Sequence, residues 1–496
     1  MKIIISALDG LSWGLGALIL VMLFTGGKIL HLEHAKIEFS SLDAWVWVWL
    51  ALLVTRWRIG GRQISPVWLF FKNHLDEIWT RPDRSSRKAG WAAGLLMLAL
   101  FVAHVFKHYN GMTHAYDVTF IHQALFHWIS GPVLKCDLCD GGTYLGEHLA
   151  FTLIPLGPIA SIFRGFFWRD AWIFFLQFVI FLSPVYYLWK KGPWKKEVPE
   201  AALLVCLIFF SHRAVRGNLI WDFREDHIAF GVFCLAILSL FQGRIFLYAA
   251  WAILAAACKE NIAMILPFLA APILFEKTLP LSALQRKLLA STTVVVSFIY
   301  LAIAFRYLIP IFNPIPGTNE IAVRLHTLGS TPAEILINSL TSPSRVLKLL
   351  SGIFTFEALK YLVLLLGPWF YFSRKAWIWW IPALPGIGMN LISGAGTQRS
   401  LNFHYEAIIL PFLLTATLLG IQQIARKQWA LGLAFALAFS SRWPGHYLQE
   451  YWPDPRKWAQ THALDIRTDP GVSVAASLEE LAHLNQMREL KIKTTE

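Results

Sequence analysis

Apolar residues fall along this chain in blocks of about 15–22, the length that carries an α-helix across a ~30 Å hydrocarbon core at 1.5 Å per residue. The blocks lie near 9–31, 42–57, 90–107, 170–189, 200–212, 227–242, 244–258, 260–276, 287–308, 355–373, 375–394, 404–424 and 428–441, which predicts an all-α polytopic membrane protein of about thirteen spans. Hydrophobic residues make up 56% of the 496 and charged ones 15%, where a soluble domain carries about 25% charge. Many of the 23 Trp sit at block ends, as in an interfacial aromatic belt. The first block follows a single Lys without a small-residue cleavage site and reads as a signal anchor.

The net charge of +13 does not point to nucleic acid, because the basic residues cluster between apolar blocks, as the positive-inside rule requires. The longest such stretch, Arg56 to Lys88, holds eight Lys/Arg against three Asp/Glu and reads as a cytoplasmic anchor beside anionic lipid. With the N-terminus inside, nearly every inner loop carries Lys or Arg. The fit requires segment 148–163, apolar but broken by Pro155, Gly157 and Pro158, to be re-entrant or to lie in the interface. The outer face then holds 108–169, 213–226, 309–354, 395–403 and a polar tail, 442–496, with a small β–turn–α pattern. No internal repeat is evident, which weighs against a transporter built from repeated halves.

Charge at membrane depth is expensive and marks function by default. Here it gathers at the outer ends of the blocks. Asp117, in HAYDVTFIHQALFHW, stands at an N-cap-like position of an interfacial helix; it reads either as a cap or as a general base. Glu147 and His148 open the next apolar segment, His148 as a headgroup-level residue or as a ligand to phosphate or metal. The densest cluster is SHRAVRGNLIWDFREDHIAF. Its Arg213, Arg216 and Arg224 suit phosphate, and Asp222, Glu225, Asp226 and His227, with His148, suit a divalent metal such as magnesium or manganese; an interlocked ion-pair network is the competing reading. Lys259-Glu260 and His404-Tyr405-Glu406 lie at the ends of later blocks, Lys259, Glu260, His404 and Tyr405 as substrate contacts. The Gly-rich SGAGTQRS with Arg399 reads as an anion-binding loop. Cys136 and Cys139 form a CxxC in an outer segment, where a disulfide suits an oxidising compartment; neither a zinc set nor a thioredoxin-like context is present.

Taken in order, these motifs resemble a large family of prokaryotic integral membrane proteins, a domain of unknown function grouped with the GT-C glycosyltransferases. The matching stretches are YDVTFIHQAL (Tyr116–Leu125), His148, WDFREDH (Trp221–His227), Lys259-Glu260, RLHTLGSTPAEIL (Arg324–Leu336), His404-Tyr405 and the tail around GVSVAA. The pattern departs at His122, where the family often has a second acid, which counts against a two-carboxylate mechanism. The two N-terminal spans are an addition, and the tail stops early.

The resemblance implies a GT-C-like catalytic domain over 90–441, flanked by a two-span extension at 1–89 with its basic cytoplasmic loop and a short periplasmic tail at 442–496. It implies transfer of a sugar from a polyprenyl-phosphate carrier to an envelope acceptor (glycan, lipid or protein) at the outer face of a bacterial or archaeal plasma membrane, with inversion and with Asp117 as base. The alternatives are a membrane transporter or lipid flippase, and a non-catalytic scaffold.

Overall fold

The computed structural model describes residues 2–25, 29–32, 35–38, 48–49, 51–52, 55–56, 58–59, 82–113, 115–128, 132–163, 166–194, 198, 201–313, 324–325, 327–329, 332–393, 396–425, 428–438, 447, 450–457, 459, 473–476 and 489–492. The basic loop over 60–81, part of the Gly-rich loop, and most of the 442–496 tail with its expected helix lie outside the described residues.

The chain is helical. The helices that build the site region are α1 (Lys2–Thr25), α2 (Pro82–Tyr109), α3 (Ala115–Phe126), α4 (Tyr144–Glu147), α5 (Phe166–Lys191), α6 (Ala202–Ser211), α7 (Arg213–Ile220), α8 (Glu225–Phe241), α9 (Ile245–Ala256), α10 (Glu260–Ala263), α11 (Ala283–Ile303), α12 (Phe356–Ser373), α13 (Leu410–Gln422) and α14 (Trp429–Ala438). Two short strand pairs depart from an all-α reading: an antiparallel pair, Ile29–Leu32 with Ala35–Glu38, and a parallel pair, Ser473–Ala476 with Glu489–Ile492. The first of the tail strands, Ser473–Ala476, takes in the Ser473-Val474 part of the expected β–turn–α element.

The apolar blocks become helices of unequal length. Asp170–Lys191 and Ala283–Phe312 are long and apolar enough to cross a membrane alone, and Pro343–Ser351 with Phe356–Ile392 form a pair bent by 65° that passes the same test as one unit. Others are shorter than a crossing: ten residues in α6 rise about 15 Å, half the hydrocarbon thickness. Prolines and polar residues account for the breaks. The block at 260–276, which carries Pro267 and Pro272, breaks into α10, a 3₁₀ turn Leu266–Leu269 around Pro267 and a helix Ala270–Phe275. The segment 148–163 is broken as its Pro and Gly predict, into a 3₁₀ stretch Phe151–Leu156 and one turn Gly157–Ala160. The block at 404–424 is turns until Leu410.

One side of α11 is apolar and bare. Leu288, Val295, Phe298 and Ile299 are each more than half exposed and repeat at helical spacing. Water would not tolerate so long a stripe on a monomer, and lipid does.

Inside, α8 packs against α5 and α9, and α13 packs against α12. Phe181 of α5 and Phe230 of α8 stack with centroids 3.8 Å apart, in a core that also takes Phe209, Trp369 and Phe412. All but one residue of α8 are buried, so its charged first turn is delivered into the protein rather than to solvent. Gly420 lets α13 lie directly on the α12 C-terminus, since a Cβ there would stand 1.8 Å from the Phe372 carbonyl oxygen. Gly420→Ala therefore forces these helices apart, with an expected loss of about 1–3 kcal/mol, read as a lowered melting temperature in detergent. Near the N-terminus, Arg56 pairs with buried Asp9 of α1 at 2.6 Å.

Candidate functional site

The site forms where α7 ends and α8 begins. Residues Trp221 to Arg224 run extended between the two helices, so successive side chains point to different neighbours. Asp222 turns towards α2, 3.3 Å from Lys107 Nζ and 3.6 Å from His104 Nε2. Lys107 also donates to the Ile220 carbonyl at 3.2 Å and lies 4.7 Å from the Trp221 ring centroid. Arg224 and Trp221 turn to α3 and hold Asp117: Arg224 Nη1 donates to Oδ1 at 2.9 Å and Trp221 Nε1 to Oδ2 at 3.0 Å. Because α3 opens at Ala115, Asp117 lies within its first turn rather than at an N-cap, and these side chains hold its carboxylate.

A line of alternating charge runs inward from Asp117. Arg224 Nε is 3.7 Å from Glu225 Oε2, Lys259 Nζ is 3.0 Å from Glu225 Oε1 and 3.6 Å from Asp226 Oδ2, and Asp226 Oδ2 is 3.8 Å from His404 Nε2. Asp117 is the exposed end: its side chain is 16% accessible, against none for Glu225. Six of the proposed residues from four separate stretches of sequence are thus joined to one another. Tyr144 of α4 adds a donor, its hydroxyl reaching Glu225 Oε2 at 2.9 Å. Burial, helped by Glu225 and opposed by Arg224, pushes this phenol well above its usual range, so it keeps its proton at any working pH. Tyr144→Phe removes one of Glu225's donors in a site water cannot reach, and the expected loss is about 1–3 kcal/mol, visible in thermal unfolding.

The remaining proposed residues are placed around this line. Arg213, at the start of α7, donates from Nε to Asn402 Oδ1 at 3.0 Å, and Arg216 is fully buried in the same helix. Gly217 permits this packing: a Cβ would meet the Leu401 carbonyl at 2.2 Å. Tyr405 lies tilted beside His404 with ring centroids 4.2 Å apart and faces the Arg324 guanidinium at 5.4 Å. Glu260 forms a neighbouring cluster, binding His148 Nδ1 at 3.1 Å and the Leu149 amide at 3.0 Å. Arg399 donates to the Ser393 carbonyl at 3.0 Å and to Thr355 Oγ1 at 3.3 Å, bracing its loop.

The five residues suggested as metal ligands are not brought together. His148 is paired with Glu260, Asp222 with Lys107, and the Lys259 ammonium stands between Glu225 and Asp226. His227 caps α8: the Arg224 amide donates to its Nδ1 at 3.0 Å, which leaves the proton on Nε2 for the Asn218 carbonyl at 2.9 Å. Among the described residues no three His, Cys, Asp or Glu are grouped as ligands. These residues therefore do not fit a single divalent ion.

Three site elements escaped the sequence reading. Lys107 and Asp170 looked like ordinary ends of apolar blocks. Asp170, fully buried, accepts from His122 Nδ1 at 2.5 Å and from His108 Nε2 at 2.9 Å, so His122 meets a carboxylate from α5. Tyr144 carried no signal beyond its place before Glu147. On its other side α3 is held by reciprocal bonds between Gln123 and Asp137, at 2.7 and 3.0 Å, and Asp137 lies inside a Cys136–Cys139 disulfide with Cα atoms 5.3 Å apart.

A family model described as "Predicted membrane protein (DUF2079)" matches residues 107–460, well over half of the chain. The chain belongs to the DUF2079 family. Every site residue from Asp117 to Tyr405 lies within the stretch that the DUF2079 model covers. No curated protein and no solved structure matches the chain. The family description and the bare apolar helix surfaces agree on a membrane protein.

Proposed function

We propose that this DUF2079 protein is a glycosyltransferase of GT-C type that moves a sugar from a polyprenyl-phosphate donor to an envelope acceptor, with inversion, at the outer face of a prokaryotic plasma membrane that it crosses about thirteen times. The observation that carries the reading is the line from Asp117 to His404: one partly exposed carboxylate, gripped by a cation, at the mouth of a buried polar interior. A lipid-linked donor explains why such groups sit at the ends of apolar helices, since the reacting bond stays at the headgroup level while the prenyl chain stays in lipid.

In the proposed step an acceptor hydroxyl attacks the anomeric carbon. Its proton passes to Asp117, the new C–O bond forms opposite the leaving group, and the C–O bond to phosphate breaks with its electron pair on the phosphate. Arg224 and Arg213 supply positive charge to that phosphate, with Lys259 behind them holding Glu225 and Asp226 in place. Arg224 also fixes Asp117, so base and leaving-group site share one guanidinium.

A second reading, a transporter or flippase, is favoured by one observation. His148 and Glu260 join two broken apolar segments, the arrangement that places ion or substrate sites in many transporters.

The enzyme reading is tested by incubating the purified protein in lipid nanodiscs with radiolabelled polyprenyl-phosphate hexoses and pentoses and an envelope extract. Label should move from lipid to acceptor for at least one donor. Label that stays on lipid across the whole panel would rule the transferase out.

A further inference from the structure

The helix Pro343–Ser351 presents an apolar face that the described residues leave uncovered. None of its residues is buried. At about 100° per residue, Val346, Leu347, Leu349 and Leu350 fall within about 160° of its circumference, and Ser344, Arg345, Lys348 and Ser351 take the opposite side. Leu347 is 67% exposed, and Phe354, just past the helix, is 88% exposed. Exposed apolar side chains carry on along α12 at Phe356, Leu359 and Val363.

The direction of the helix says what covers this face. It meets the following helical run, Phe356–Ile392, at 65°. With α12 standing across the bilayer, a helix at that angle runs closer to the membrane plane than to its normal. Its polar side carries two cations and no acid; Glu357, in the first turn of α12, is the nearest acid along the chain, and Lys360 follows about one turn later. A basic amphipathic helix lying in the plane, with its apolar stripe continued on a neighbouring span, matches lipid: apolar side chains enter the acyl region and cations meet phosphates. A protein partner would need a surface both apolar and acidic, and would have to displace lipid from α12 to follow the same stripe.

The end of the helix is tied to the candidate site. Arg399 Nη1 donates to the Gly352 carbonyl at 3.5 Å and to Thr355 Oγ1 at 3.3 Å, and Thr355 caps α12 by accepting from the Ala358 amide at 3.2 Å. Three residues past Arg399, Asn402 accepts from Arg213. The helix and the edge of the site therefore belong to one side of the membrane.

We infer that Pro343–Ser351 lies in the membrane interface on the side of the site, with Leu347 and Leu350 in the acyl region and Arg345 and Lys348 on the phosphates of anionic phospholipids. That placement holds whatever reaction the site runs, and so goes beyond the transferase reading.

It is tested with nitroxide labels on the full-length protein in nanodiscs, placed by Leu347→Cys and Arg345→Cys, about 160° apart around the helix. The signal of identically treated wild type is subtracted to remove any label on Cys206, Cys234 and Cys258. Dissolved oxygen, which concentrates in lipid, should relax the label replacing Leu347 more than a water-soluble nickel chelate does, at a depth of about 5–10 Å into the headgroup–acyl boundary. The order should reverse for the label replacing Arg345. Exchanging part of the phosphatidylcholine for phosphatidylglycerol should draw the first label deeper, and Arg345→Gln combined with Lys348→Gln should abolish that shift. Leu350→Cys gives a second reading of the apolar face should Leu347→Cys not accumulate. Nickel chelate reaching both labels equally would put the helix in water and overturn the placement. A first label sheltered from both reagents would show a second copy or another protein on the face and overturn it likewise. A depth indifferent to phosphatidylglycerol would overturn the assignment of the two cations to anionic headgroups.

Discussion

Asp117→Asn should lower turnover by about 10²–10⁴-fold, the usual worth of a general base, with donor affinity essentially unchanged. The substitution is close to isosteric, and Asn can still accept from Trp221 Nε1 at the position Oδ2 now occupies, 3.0 Å away. What it loses is the capacity to take a proton and the charge that faces Arg224 at 2.9 Å. That pair is largely buried, so its loss should also cost stability, about 1–3 kcal/mol. A fall in kcat far larger than that loss explains, with an unchanged Kd for the donor in protein that is still folded at the assay temperature, is the expected pattern. Turnover that survives the substitution would remove Asp117 from the role of base and leave Glu225 and Asp226 as the carboxylates able to fill it.

Lys259→Met should be the most damaging substitution for folding. Lys259 is 1% exposed and lies 3.0 Å from Glu225 and 3.6 Å from Asp226. Removing it leaves buried negative charge uncompensated, for an expected loss of about 3–5 kcal/mol. The two acids should not suffer equally. Glu225 retains the Tyr144 hydroxyl at 2.9 Å and Arg224 at 3.7 Å, whereas Asp226 retains His404 at 3.8 Å. Lys259→Met combined with Asp226→Asn should therefore recover more stability than Lys259→Met combined with Glu225→Gln. Thermal unfolding of the three variants and wild type in one detergent measures this, and equal recovery by the two double variants would show that Glu225 is no better served than Asp226.

How much of this the sequence discloses depends on the range over which each signal acts. Charged residues at the ends of apolar runs stand out without any structure, and so Asp117, Arg224, Glu225, Asp226, Lys259 and His404 could be named. Their partners could not be. Lys107 meets Asp222 across 115 positions and Tyr144 meets Glu225 across 81, and hydrophobic periodicity says which face of a helix is buried but not what it meets. His227 misleads for a related reason. Helix capping is expected of Ser, Thr, Asp and Asn, so a histidine closing the first turn of α8 looks like a ligand until its two ring nitrogens are seen on backbone groups. The helix breaks were readable in part: Pro155, Gly157 and Pro158 flagged one broken segment, while Pro267 and Pro272 lay inside a run apolar enough to pass for a continuous span.

The central claim is that the chain breaks the bond between sugar and phosphate instead of carrying a lipid across the membrane. The direct measurement is release of free polyprenyl phosphate from a glycosylated donor in sealed proteoliposomes containing wild type or Asp117→Asn protein, with a soluble envelope acceptor outside. The account predicts release in step with sugar appearing on the acceptor, one for one, and near-complete loss of both in the variant. Donor that changes leaflet with its sugar–phosphate bond intact, equally in wild type and variant, would contradict it and establish the transporter reading in its place.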